Sequence, residues 1–172
     1  MDTDFALQSA TELIKPWAIE TRMPETNRID AVISGANLYE CVAAIVKAKW
    51  GYLSAIIGLD TLNLSVIQAA AAGGTEPEPM PFEVLYAFSH GAAVLTLRVT
   101  VQRQNPVIPS VCGLISSASL YERELMEMFG IDIIGTPDKG RLLISDDWPA
   151  NVYPLRKDFT GLKTGTDDSP AS

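Results

Sequence analysis

The sequence predicts an α+β fold: a mixed β-sheet covered by helices, with an extended irregular C-terminal arm. Three observations predict it. Residues 82–102 are two strand-like runs joined by a short glycine turn, the second alternating a polar with an apolar face, as in a half-buried hairpin. Residues 5–18 and 37–49 place apolar side chains three and four apart, the spacing of helices that cover a sheet. Residues 130–159 carry Gly135, Pro137, Gly140, Pro149 and Pro154, which break any regular element.

Taken in order, residues 5–18 read as an amphipathic helix. Phe5, Leu13 and Trp17 form its apolar side with Ala6 and Ala10, and Pro16 disturbs its last turn. A polar turn at 24–27 leads into a short strand at 29–33. Asn37 is placed to cap a second helix running to about residue 49, with Leu38, Cys41, Val42, Ile45 and Val46 as its buried stripe. Gly51 stops it. Residues 52–59 are apolar and β-rich, as a central strand would be, while 62–72 fits strand or helix equally and 73–79 reads as a flexible loop. The hairpin joins 82–89 to 92–102 at His90-Gly91. Its second strand sets Val94, Thr96, Arg98 and Thr100 on one face and Leu95, Leu97, Val99 and Val101 on the other. Pro106 and Pro109 mark a connector. The organisation expected is an α+β domain over 1–112, a charged helix and arm over 113–159, and a flexible tail over 160–172.

Composition excludes several function classes. A chain of 172 residues with 47% hydrophobic and 20% charged side chains can bury one core. Its net charge of −8 argues against nucleic acid or an anionic membrane surface as a direct partner. Cys41 and Cys112 are far apart, there is a single histidine, His90, and no closely spaced ligand pair exists from which to build a zinc or iron–sulfur site. Both cysteines are expected as free thiols. The N-terminus lacks the basic-then-apolar order of a signal peptide, and the longest apolar stretch, 62–72, is interrupted by Asn63, Ser65 and Gln68. A protein that reaches a membrane only through partners is expected.

Charge concentrates after residue 118. Ser119 followed by Glu122 has the form of a capping box, and Gly130 that of a terminator, so a helix is expected over 120–129. At 100° per residue, Leu120, Tyr121, Leu125, Met128 and Phe129 share one half of the wheel, and Glu124 falls among them. Met126 lies opposite with Glu122 and Arg123. A carboxylate on a buried face needs a cation or several donors. The expected partners of Glu124, and of Glu122, are Arg141 or Arg156, with Lys139 and Lys157 as further candidates, so that an ion-pair network staples the arm to the helix. A proton-handling role for such a carboxylate is disfavoured, because no second acid, nucleophile or phosphate loop accompanies it. In the arm, Leu142, Leu143 and Ile144 could add a short strand. Trp148, Val152, Tyr153, Leu155 and Phe159 lack periodicity and need a surface, either this domain or, preferably, a partner subunit.

These residues carry a resemblance. Glu122-Arg123-Glu124-Leu125-Met126-Glu127-Met128-Phe129-Gly130-Ile131, then Gly135, Pro137, Asp138 and Arg141, then Pro154-Leu155-Arg156-Lys157-Asp158-Phe159 resemble, in order and at compatible spacing, the C-terminal signature of the 30 kDa subunit family of respiratory complex I and of membrane-bound energy-converting [NiFe] hydrogenases. The resemblance implies a non-catalytic subunit of the peripheral arm, on the cytoplasmic side of the membrane, holding no cofactor. It implies packing on the large subunit that forms the quinone or nickel–iron cavity, with iron–sulfur clusters, and for a hydrogenase NiFe, in partner subunits. The structural network would comprise Glu122, Arg123, Glu124, Arg141, Arg156 and Asp158. The partner-contacting arm would comprise Trp148, Tyr153, Pro154, Leu155, Lys157 and Phe159. Thr136 departs from the histidine usual in complex I members, and Lys139 and Gly140 replace a bulky residue and an arginine. The run Trp148-Pro149-Ala150-Asn151-Val152-Tyr153-Pro154 is closer to the hydrogenase branch, so an energy-converting hydrogenase or ferredoxin-linked relative is favoured over a classical NADH:quinone oxidoreductase. Two other classes are weighed. A stand-alone enzyme would use His90, which sits in a hairpin turn where a solvent-facing or capping role is commoner. A free binding module would use the arm alone.

Overall fold

The hairpin organises the molecule. In the computed structural model, which describes residues 2–63 and 80–162, β4 (Phe82–His90) and β5 (Ala93–Val101) pair antiparallel from Phe82↔Val101 to His90↔Ala93. Alternation does the work expected of it: Leu95, Leu97, Val99 and Val101 face a buried layer with Phe82, Val84, Tyr86 and Phe88. The strand β2 (Arg28–Ile33) adds to β5 in parallel, with Ala31 opposite Leu97. Outside it lies β1 (Ala18–Glu25), antiparallel to β2, and beyond β4 lies β3 (Tyr52–Asp60), also antiparallel. The order β1-β2-β5-β4-β3 makes a mixed sheet of five strands, and the fold is α+β.

Two helices cover one face. α1 (Thr3–Ile14) buries Ala6, Leu7, Ala10 and Ile14, and α2 (Leu38–Lys47) buries Leu38, Cys41, Val42 and Ile45. Trp50 fastens α1: its indole Nε1 donates to the Ala6 carbonyl and to Ser9 Oγ, each at 3.1 Å. The opposite face carries an alternating chain of charge across three strands. Arg28 Nε lies 2.7 Å from Asp30, Arg98 bridges Asp30 at 3.0 Å, and Arg98 also meets Glu83. Among the described residues, no helix is long and apolar enough to cross a membrane.

Several sequence expectations change. α1 ends four residues early, at Ile14, and its buried face turns toward Leu7, leaving Phe5 exposed. The chain then enters β1, an unforeseen strand, because seven of its eight residues are exposed and no apolar alternation marks it. Asn37 sits in a 3-10 turn, Gly35–Asn37, and makes no capping bond; Ser34 caps that turn instead. Val46 is exposed rather than part of the α2 stripe. β3 is an outer strand of the described sheet, not a central one, and a third helix packs against it. The connector with Pro106 and Pro109 contains β6 (Val107–Pro109), which pairs in parallel with β7 (Asp132–Ile134). Residues 142–144 form no strand. The expected loop at 73–79, most of the ambiguous 62–72 stretch and the tail beyond 162 lie outside the described residues.

Candidate functional site

The charged signature forms α3 (Ala118–Phe129), which lies against β3. Gly58 makes this approach possible. A Cβ there would meet Phe129 at 2.5 Å and Leu125 at 2.8 Å, so only hydrogen fits between strand and helix. Tyr121 Oη donates to the Ser54 carbonyl at 3.0 Å and fixes the other end of the contact. Gly130 closes the helix in the left-handed region at φ +67°. A side chain there would also strike the Tyr153 ring.

Each charge on α3 has a definite place, and it is not always the one the helical wheel assigned. Glu122 was expected on the outer, charged side and as the partner of a capping box. It is instead fully buried, and the Ser117 N-cap position makes no side-chain bond. The Glu122 carboxylate accepts from Ser110 Oγ at 2.8 Å, from the Val111 amide at 2.8 Å and from Cys112 Sγ at 3.1 Å. Three neutral donors do what a cation was expected to do. They also fix the turn that leads from β6 into α3. Burial pushes the Cys112 thiol up, and the Glu122 carboxylate adds to that although Ser110 opposes it. The thiol beside this acid is therefore held protonated, the reverse of an activated nucleophile.

Glu127, also buried, accepts from the amides of Leu142 and Leu143. Arg123 donates from Nε to the Gly140 carbonyl at 2.8 Å and from Nη2 to the Arg141 carbonyl, and its Nη1 pairs with Asp138 at 3.1 Å. α3 thus holds residues 138–143 mainly by their backbone. The expected pairs of Glu124 with Arg141 and Arg156 do not form. Arg141 turns away to the Ser145 and Trp148 carbonyls, closing its own loop. Arg156 donates to the Phe129 carbonyl at 2.7 Å and lies over the rings of Phe82 and Tyr153, a cation at a helix C-terminus. Glu124 is half-buried and has no hydrogen bond or ion pair among the described residues.

Residues beyond 144 reach the sheet through an anchor that sequence reasoning missed. Asp60, at the end of β3 and with its side chain 2% exposed, pairs with Arg103 and accepts from the Lys157 amide at 2.8 Å. Arg103 also meets Asp158 at 3.3 Å, and Lys157 Nζ donates to the Leu62 carbonyl at 2.9 Å. Burial pushes the Asp60 carboxyl up, but the Arg103 guanidinium and the Lys157 and Leu62 amides outweigh it and hold it below the usual carboxylate range. Trp148 packs on Phe159 with ring centres 6.1 Å apart and donates to the Val152 carbonyl. Tyr153 and Pro154 are half-buried, and Leu155 is 52% exposed though its amide bonds the Met128 carbonyl. Asp60 and Arg103 stand where an apolar strand and a connector acquire one isolated charge each. Such charges of opposite sign were the available signal.

Among the described residues, the charged side chains of this arrangement chiefly hold backbone groups. His90 ends β4 and packs on Trp50, ring centres 5.6 Å apart. Cys41 is buried in the core and its thiol is pushed up to about 12 by that burial. Among the described residues, no three of His, Cys, Asp or Glu stand together as a metal would require.

Residues 20–165 match the family described as respiratory-chain NADH dehydrogenase, 30 Kd subunit. The chain is 34% identical over 121 residues to formate hydrogenlyase subunit 5 of Escherichia coli (strain K12), covering 70% of this chain and 19% of that one. It is 43% identical over 68 residues to membrane-bound hydrogenase subunit beta of Pyrococcus furiosus, covering 40% and 39%. It is 35% identical over 115 residues to an NADH-quinone oxidoreductase subunit of Roseiflexus sp. (strain RS-1), covering 65% and 56%. The chain therefore spans between 19% and 56% of the length of these relatives. Among solved structures, the trypsin-resistant fragment of Nqo5 superposes with a TM-score of 0.59 at 25% identity, covering 80% of this chain and 99% of that one. A chain of the membrane-bound sulfane sulfur reductase, an archaeal respiratory membrane complex, superposes with a TM-score of 0.63 at 17% identity, covering 91% and 84%, a likeness of fold.

Proposed function

The chain belongs to the 30 kDa subunit family of respiratory-chain NADH dehydrogenases, and on that premise we propose that it is a non-catalytic subunit of the peripheral arm of a membrane-bound, ion-translocating oxidoreductase. In this reading it carries no cofactor and packs on the large subunit that forms the quinone or nickel–iron cavity. The iron–sulfur clusters belong to partner subunits, and the chain meets the membrane, on its cytoplasmic side, only through them. Residues 113–159 are the part that faces those partners, with Trp148, Tyr153, Pro154, Leu155, Lys157 and Phe159 as contacts.

The observation that carries the reading is the use of the signature block itself. Glu122, Glu127, Arg123 and Arg156 all hold backbone or neutral donors, so this chain's charged signature is spent on shaping a surface. An energy-converting hydrogenase or a ferredoxin-linked relative is favoured by the two hydrogenase-associated relatives and by the run from Trp148 to Pro154. A classical NADH:quinone oxidoreductase is the second reading, favoured by the 115-residue match to the Roseiflexus protein.

Purification through a tag on this chain in mild detergent, with mass spectrometry and metal analysis, tests both. Iron–sulfur subunits and integral-membrane subunits in the eluate are the expected result, and nickel selects the hydrogenase. NADH-driven quinone reduction without nickel selects the second reading. A clean monomer contradicts both.

A further inference from the structure

Of the four charged side chains on α3, three are satisfied within the chain. Glu122 has three donors, Glu127 two amides, and Arg123 two carbonyls and Asp138. Glu124 has none among the described residues, although it is half-buried. It lines a cleft of about 310 Å³ between α3 and β3, beside Ile57, Tyr121, Leu125, Phe129 and Leu155. The cleft touches four consecutive residues of β3, an outer strand of the described sheet, Ala55, Ile56, Ile57 and Gly58, so it lies at the sheet's side. Its apolar lining is accessible: Leu155 is 52% exposed and Ile57 43%.

A carboxylate in an apolar cleft loses hydration without receiving a donor in return, and that cost is recovered when a cation arrives. Exposed apolar side chains around a single unpaired charge have the composition of a docking patch with one polar selector. The acceptor is acidic and the whole chain carries −8, so complementarity calls for a basic group flanked by apolar ones.

We propose that this cleft seats a segment of a partner subunit that places one lysine or arginine on Glu124 and packs apolar side chains on Ile57, Tyr121 and Leu155. This rests on the reading of the chain as a subunit of a larger complex and adds where, and by what chemistry, one partner docks. Glu124 is then the selector of the interface, and its neighbours supply the contact area.

The test uses the full chain in its complex, tagged as above. A benzophenone amino acid at position 155 should cross-link to one partner subunit, at a peptide that contains lysine or arginine. Glu124→Lys should lower recovery of that subunit about tenfold, and changing the cross-linked peptide's basic residue to glutamate should restore it. Melting of the free chain should be unchanged in Glu124→Gln, because nothing among the described residues pairs with that carboxylate. Should Glu124→Lys itself lower the melting temperature, the isosteric Glu124→Gln decides, with a smaller loss of recovery expected. An intact complex with wild-type recovery in both variants overturns the inference, as does a cross-link only to a second copy of this chain. If the wild-type chain carries no partner at all, the functional reading falls and takes the inference with it.

Discussion

Leu97 and Leu155 are the same side chain held in opposite ways. Leu97, in β5, is fully buried with Ala31 beside it on one strand and Tyr86 on the other. Leu155 is 52% exposed and is positioned by its amide, which bonds the Met128 carbonyl. The difference extends to the regions they belong to. The sheet and its two helices are held by many apolar contacts that back one another up, so no single polar bond decides their position. Residues 138–162 are held by separate ties from Glu127, Arg123, Arg156, Asp60 and Arg103. Such a region can be placed accurately and still open locally at low cost. That combination suits a surface meant to meet another subunit.

The largest effect is expected on the sheet side. Leu97→Ala should lower stability by about 2–5 kcal/mol, read as a fall in the urea midpoint of the whole chain. Glu122→Gln tests which side α3 belongs to. Replacing a buried acceptor by an amide that must turn donors toward Ser110, Val111 or Cys112 should cost about 1–3 kcal/mol, and the loss should appear in the same global transition. If that transition stays put while only residues 110–129 exchange faster, α3 belongs energetically with the C-terminal segment. Glu127→Gln should leave the global midpoint unmoved and reduce hydrogen-exchange protection at Leu142 and Leu143 about tenfold.

The smallest effect is the pH dependence of the Asp60 anchor. Its carboxyl titrates below the usual range in the folded chain, so it contributes stability that is complete above the unfolded value of about 3.9. That contribution is lost as pH falls through the lower folded value. Residues 157–158 should therefore stay fixed at neutral pH and loosen only in acid, as followed by amide exchange at Lys157. Asp60→Asn should abolish that acid step.

The hairpin was legible because 82–102 shows two strand-like runs, the second alternating, joined by the short turn at His90-Gly91. β1 was not legible, since seven exposed residues leave no period, and three-residue strands such as β6 and β7 are too short to show one. At α3 the sequence disclosed that a carboxylate would lie on the buried side, but it pointed to Glu124, whereas Glu122 and Glu127 are the buried ones and Glu122 binds the preceding turn. Nor did the sequence disclose their partners. Arginines of the segment were matched to glutamates by charge, yet Arg123, Arg141 and Arg156 chiefly satisfy carbonyls, and Glu122 and Glu127 satisfy amides and neutral donors. Every residue owns a carbonyl and nearly every residue an amide, so composition cannot show which ones a fold turns toward a charge.

Hydrogen–deuterium exchange of the chain alone and within its purified complex tests the central claim most directly. Amides of 138–159, including those tied to Glu127 and Asp60, should exchange earlier than those of β4 and β5 in the free chain and gain strong protection in the complex, while β4 and β5 stay protected in both. Equal exchange of 138–159 in the two states would contradict the account, because the segment would then not be the surface that meets a partner.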